Sequence, residues 1–204
     1  LERGLSFQED LYSHGHFSVT MYPGESIGVV ISTSDPSGKN AFDVLEKEKQ
    51  RREKLSELFM ISRTDTRVAV LEAATEPLTE NEAVVTRLVR AADQFIVRRG
   101  VLHTIIAGYP WFSDWGRDTM ISLPGLCLLT GRFNVAKDII DQFIPFISQG
   151  MLPNRFPDHG ESPEYNTIDA SLWFFNAVYQ YHRATNDIGS VREWMPALSD
   201  IVAS

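Results

Sequence analysis

A mainly α-helical fold, entered through a short β segment, is what the sequence predicts, and three observations predict it. From about residue 41 onward, apolar residues recur every three to four positions in successive segments. Those segments are joined alternately by long loops and short turns, which suits antiparallel helix pairs around an axis, with function collected at the long-loop end. Residues 17–22 alternate apolar and polar positions instead, and 27–32 are β-branched.

Taken in order, Phe17-Ser-Val-Thr-Met-Tyr22 alternates apolar and polar residues, and Ile27-Gly-Val-Val-Ile-Ser32 is β-branched. Pro23-Gly24 marks a turn between them. Two strands are not stable alone, so 1–34 is expected to close a β domain that lies mostly upstream. Asp35-Pro-Ser-Gly-Lys-Asn40 reads as a linker, and 35–79 as that linker plus a bridging helix. Phe42, Leu45, Leu55, Leu58 and Phe59 form its narrow apolar stripe, around a mixed-charge run from Lys47 to Lys54. Val68-Ala-Val-Leu71 fits either a short helix or a strand.

The remaining residues, 80–204, carry the helical domain. Thr79 and Glu82 stand in capping-box spacing before Val84, Leu88, Ala91, Ala92, Phe95 and Ile96, and Gly100 is expected to end that helix. Asp118 to Leu129 is apolar almost all round, as a buried inner helix is, with a kink expected at Pro124 and a stop at Gly131. Asn134 can cap a helix with the stripe Val135, Ile139, Ile140, Phe143, Ile144 and Ile147, ended by Gly150. Met151 to Asn166 is a long loop carrying Pro153, Pro157 and Pro163, and loops of that length are frequently functional. Thr167 to Tyr181 is helical again, and Ser190 with Glu193 forms a second capping box for the last helix.

Composition narrows the function. With 43% apolar and 23% charged residues the chain has the make-up of a soluble globular protein. A net charge of −8, with no basic cluster interleaved with aromatics, argues against a nucleic-acid partner. No apolar run approaches bilayer-spanning length, so no membrane partner is expected. Cys127 is the single cysteine, among leucines; it reads as a buried small hydrophobe in a reducing, cytoplasmic compartment.

The chemistry concentrates in Ala107-Gly-Tyr-Pro-Trp-Phe-Ser-Asp-Trp-Gly-Arg-Asp-Thr119. Tyr109, Trp111, Phe112 and Trp115 lie beside Asp114, Arg117 and Asp118, a combination suited to ligands with apolar faces and polar edges, of which sugars are the commonest. A plainer reading is an aromatic loop packing on its own domain, with Asp118 favourably placed at a helix start. Arg117 donates through a rigid fork and Asp118 can accept two hydroxyls, from different sides of one ligand. The second loop adds Arg155, Asp158, Glu161, Glu164 and, at the next helix start, Asp169. Glycoside hydrolysis generally needs two carboxyl groups, and spacing alone does not choose a pair from these. His159 has no second histidine nearby, so no metal site is expected.

Three stretches, Ala107 to Thr119, Leu152-Pro-Asn-Arg-Phe156 and Tyr165-Asn-Thr-Ile-Asp-Ala-Ser-Leu-Trp-Phe174, resemble the glycogen-debranching enzyme family of bacterial and archaeal type. More broadly they resemble the amylo-α-1,6-glucosidase domains related to glucoamylase, over about 80–185. The resemblance implies an (α/α)6 toroid that hydrolyses α-1,6-linked glucose at glycogen branch stubs by inversion, without a cofactor. An α-glucan, glycogen or limit dextrin, is the implied partner. It further implies that Arg117 and Asp118 hydrogen-bond the non-reducing glucose and that Trp115 and Tyr109 stack against or wall it. Trp111 belongs to the same aromatic stretch, and Arg155 and Asp169 match positions at the pocket mouth.

The family's general acid, in a Trp-Met-Asp type motif, and its far-end base have no counterpart here. No catalytic pair is therefore expected within these residues; Asp118 and Asp169 are the candidates should the chain act alone. About half a toroid would expose a large apolar inner face. The isolated piece is expected to be inactive and able to self-associate through that face. Two rival readings are a non-catalytic glucan-binding helical module and a related toroid glycosidase acting on another α-glucosidic linkage.

Overall fold

The structure, a computed structural model, describes residues 12–13, 15–64, 82–109, 112–156 and 162–204. Contacts divide the chain into a smaller unit, Leu1–Lys47, and a larger one, Glu48–Ser204.

In the smaller unit the expected turn forms. The Tyr22 carbonyl accepts from the Glu25 N–H at 3.0 Å, and the Glu25 carboxylate accepts from the Tyr22 N–H at 2.8 Å. Gly24 takes φ 91°, which a side chain would resist. The two flanking strands do not form: 17–22 and 25–32 carry no strand pairing, and Phe17, Val29 and Ile31 are exposed. Such a pair needs a further strand or a packed face to bury its apolar side, and the described residues supply neither.

Helix α1 is Ala41–Thr64. Asn40 caps it, its Oδ1 accepting from the Phe42 N–H at 2.8 Å. The apolar stripe read from the sequence stays largely in solvent, with Phe42, Leu45 and Leu58 all exposed. Val68–Leu71 and the Thr79 cap lie outside the described residues.

The larger unit opens with α2, Glu82–Asp93, which stops short of the predicted end. Phe95 is in a turn, and Ile96 begins a strand rather than continuing the helix. Strand β1, Ile96–Arg99, pairs antiparallel with β2, Leu102–Ile105, in the register Ile96–Ile105 to Arg99–Leu102. Gly100 takes φ 60°, the value a two-residue type II′ turn requires at its first position. That turn, between β-branched residues on both sides, overrides the helical period that α2 sets up.

Helix α3, Gly116–Leu123, runs into a π-helical segment, Pro124–Leu128. Pro124 has no N–H to continue the ladder, and the chain answers by widening. Leu129 donates to the Pro124 carbonyl at 2.9 Å and Arg132 to the Cys127 carbonyl at 2.8 Å, each across five residues. Met120, Leu123 and Cys127 are fully buried, but Ile121 is 45% exposed, so this helix is not enclosed on all sides as predicted. Burial pushes the Cys127 thiol up to about 12. The native chain should therefore resist iodoacetamide at pH 8 and react only after denaturation, which mass spectrometry would read; rapid native alkylation would contradict the packing.

Helix α4, Phe133–Phe143, begins after Arg132, with no side-chain cap; Asn134 lies inside it rather than capping it. Gly131 takes φ 74° where the stop was expected, and α4 starts two residues before the position an Asn134 cap implies. Pro145 tightens the helix end into the 3-10 turn Ile144–Phe146, so the helix stops before Gly150, whose φ of 71° serves the bridge between Ser148 and Met151.

Helix α5, Asp169–Thr185, ends on Asn186 in the left-handed conformation, φ 58°. Helix α6, Ile188–Ala203, is capped by Asp187 and not by the predicted Ser190. Asp187 Oδ1 accepts from the Ser190 N–H at 3.0 Å and Oδ2 from the Ser190 hydroxyl at 2.5 Å. These bonds hold the Asp187 carboxyl below its ordinary range.

Helix α3 packs mainly on α5, α4 covers β2, and α5 packs on α6. Phe143, Phe174, Ile139, Leu123 and Trp194 fill the core, and the Trp194 indole donates to Asp141 at 2.6 Å, joining α6 to α4. The unit is mainly helical, as predicted. Among the described residues no helix is long and apolar enough to cross a membrane.

Candidate functional site

The hairpin positions the aromatic loop. Arg99 and Thr104 stand diagonally on one face of the two strands, and both reach one carboxylate. The Arg99 guanidinium meets Asp114 at 2.7 Å, the Thr104 hydroxyl donates to it at 3.1 Å, and Asp114 is 1% exposed. The loop closes on itself as well: Ala107 donates to the Ser113 carbonyl at 2.9 Å and Phe112 to the Gly108 carbonyl at 3.0 Å. Asp114, a candidate acid or base by composition, is thus the anchor of the loop.

The second loop docks against the first. Trp115 bridges Arg155, which in turn bridges Glu164. The Arg155 guanidinium pairs with the Glu164 carboxylate at 2.6 Å. Gly116 donates to the Asn154 carbonyl at 2.8 Å, and buried Asn154 donates through its amide to Asn166 at 2.9 Å. Leu152 donates to the Ser171 hydroxyl at 2.8 Å, which ties this loop to α5.

Gly116 is required by that approach. A Cβ there would lie 2.1 Å from the Pro153 carbonyl oxygen, which is backbone and cannot swing aside. Gly116→Ala should destabilise the chain by about 2 kcal/mol, as overpacking does. A thermal melt indistinguishable from the parent would contradict this docking.

Between the loops lies a cleft of about 750 Å³. Tyr109, Phe112 and Trp115 form its aromatic walls, and Arg99 and Arg155 contribute guanidinium groups. Phe112 and Trp115 meet edge to face with centroids 6.4 Å apart. Tyr109 is 65% exposed, offering a ring face to solvent. Such a surface can stack on the apolar face of a sugar while nearby donors take its hydroxyls.

The structure divides the predicted site residues. Tyr109, Trp115 and Arg155 come together at the cleft. Arg117 and Asp169 also meet, Nη1 to Oδ2 at 3.5 Å, both half-exposed, but they do not line it. Asp169 Oδ1 is buried with no hydrogen-bond partner. Asp118 is exposed and faces a separate hollow of about 310 Å³ with Ile105, Ile121 and Leu126. Trp111, Asp158, His159 and Glu161 lie outside the described residues.

Sequence reasoning misses Arg99 and Thr104, because the helical period of α2 runs on through Ile96. The signal was present: Gly100 sits between Ile96-Val-Arg-Arg99 and Val101-Leu-His-Thr-Ile105, a hairpin pattern. Among the described residues no group of three metal-ligating side chains gathers.

The profile of a family described as Amylo-alpha-1,6-glucosidase matches residues 90–204, which include the cleft and both loops. A protein named Glycogen debranching enzyme, from Saccharomyces cerevisiae, is 43% identical over 83 residues. That match covers 38% of this chain and 5% of the yeast protein.

Proposed function

The chain belongs to the amylo-alpha-1,6-glucosidase family, and from that premise we propose that it supplies part of the glucan site of a debranching glucosidase. The observation that carries the reading is the cleft, where Tyr109 and Trp115 stand beside the Arg155 guanidinium. In this reading the aromatic rings stack on glucose rings and Arg155 donates to their hydroxyls. Arg117 and Asp118, at the start of α3, hold the terminal glucose, with Asp169 orienting Arg117. The helices belong to an (α/α)6 toroid, and exposed Ile121, Ile168 and Leu172 are the apolar face that its other helices, or a second copy, would cover.

Hydrolysis with inversion needs a general acid and a general base on opposite sides of the sugar. Among the described residues that line the cleft, Asp114 is the one carboxylate, and it is held by Arg99 and Thr104. In this reading the acid and base lie elsewhere than in the described lining of the cleft, and that lining serves to bind the glucan.

Glucose release from a branched limit dextrin, from maltose and from trehalose tests this reading. The complete gene product should release glucose from the branched dextrin preferentially, and the 204-residue chain should release none. Preference for maltose or trehalose would move the activity to another linkage. A gene product that binds dextrin and releases nothing would be a glucan-binding module. Release by the chain alone would make Asp118 and Asp169 the catalytic pair.

A further inference from the structure

Tyr109 borders two hollows, not one. On one side lies the cleft shared with Trp115 and Arg155; on the other lies a hollow of about 450 Å³ lined by Arg51, Arg52, Asp93, Gln94 and Ile96. We infer that the two form one groove that passes over Tyr109 and ends on α1, and that the α1 end binds the outer glucose units of an α-glucan chain. This rests on the glucan reading of the cleft and extends it to a part of the substrate that nothing else locates.

Three observations support it. The first is continuity: the exposed Tyr109, which lines both hollows, can stack on a sugar between them. The second is preorganisation. Arg51 forks onto Asp93, Nη1 to Oδ1 at 3.1 Å and Nη2 to Oδ2 at 2.5 Å. Asp93 also accepts from buried Arg132 at 3.0 Å, so α1 is fastened to the base of α2 through a carboxylate shared by two guanidinium groups. Glu48 steadies the α1 side, accepting from Arg51 Nε and Arg52 Nε at 2.7 Å each. The third is chemistry: guanidinium groups and the Gln94 amide offer several donors and an acceptor, with Ile96 as an apolar floor. Neutral, hydroxyl-rich sugars suit that mixture. An anion would meet Asp93 and Glu48 beside the arginines, and a membrane-like or peptide-like apolar ligand would find little to bury.

The plainer alternative is a solvent-filled gap between α1 and α2 with no ligand. Chain-length dependence separates the two. In the complete gene product, KM is measured for a branched dextrin with long outer chains and for a short branched oligosaccharide. Arg52→Ala and Gln94→Ala, both at exposed side chains, should raise the ratio of the long-chain to the short-chain KM about fivefold each, the effect of one lost hydrogen bond. Arg52→Lys should recover part of that ratio. An unchanged ratio in both alanine variants would overturn the proposal, because a gap between helices does not sense substrate length.

If the wild-type product cleaves neither substrate, the hydrolase reading fails and the groove is still read by calorimetry. Affinity for linear maltooligosaccharides should then rise with length from three to about eight units, and Arg52→Ala should flatten that rise. A wild-type affinity independent of length would overturn the groove.

Discussion

Asp118→Asn in the complete gene product should lower kcat/KM for a branched limit dextrin by roughly 10–100-fold, the cost of losing a charged hydrogen-bonding partner for a sugar hydroxyl. The fold should barely respond. Asp118 is exposed, and its backbone carbonyl accepts from the Ser122 hydroxyl within α3, a bond the substitution leaves in place. Its negative charge in the first turn of α3 contributes about 0.3–1 kcal/mol at most. Steady-state kinetics beside a thermal melt checks both halves. Unchanged kinetics would reduce Asp118 to a helix-start charge and leave substrate binding to the Tyr109–Trp115 cleft alone.

Asp114→Ala should do the opposite, damaging the fold first. It leaves the Arg99 guanidinium without its 2.7 Å partner and the Thr104 hydroxyl without an acceptor, at a position 1% exposed. Breaking a buried pair by removing one member costs about 3–5 kcal/mol; Arg99 is part-exposed, so the lower end applies, near 3 kcal/mol. For a chain of this size the melting temperature should drop by roughly 10 °C. Replacing both partners with apolar residues, Arg99→Met with Asp114→Leu, should recover much of it, since no orphaned charge remains. A single Asp114→Ala variant as stable as the parent, but with one limb of its pH–rate profile gone, would make Asp114 a proton-transfer group rather than an anchor.

The contrast between these two carboxylates shows what was legible in the sequence. Both stand in one short stretch, four residues apart, and composition treats them alike, although Asp114 is in the loop and Asp118 in the first turn of α3. What separates them is the β1–β2 hairpin, which brings Arg99 and Thr104 to Asp114 and leaves Asp118 outside. The hairpin was hidden because Val84, Leu88, Ala91 and Ala92 set a strong helical period that ran on into Phe95 and Ile96. The long helices after Gly131 were readable because their apolar positions face one packed core; Ile139, Ile140 and Phe143 are fully buried. Their ends were less so. Asp187 rather than Ser190 caps α6, because both offer the same acceptor chemistry three residues apart and only the turn at Asn186 decides between them. The alternation of long and short connections was read correctly. The long ones carry Tyr109, Trp115 and Arg155, while α5 and α6 are joined through Asn186 and Asp187 alone.

The claim that the aromatic cleft binds α-glucan is tested most directly by titrating the 204-residue chain with maltoheptaose while following tryptophan emission, beside the Trp115→Ala variant. The glucan reading predicts a saturable change in the parent that the variant loses. The same curve in both, or no saturable change in the parent, would contradict it.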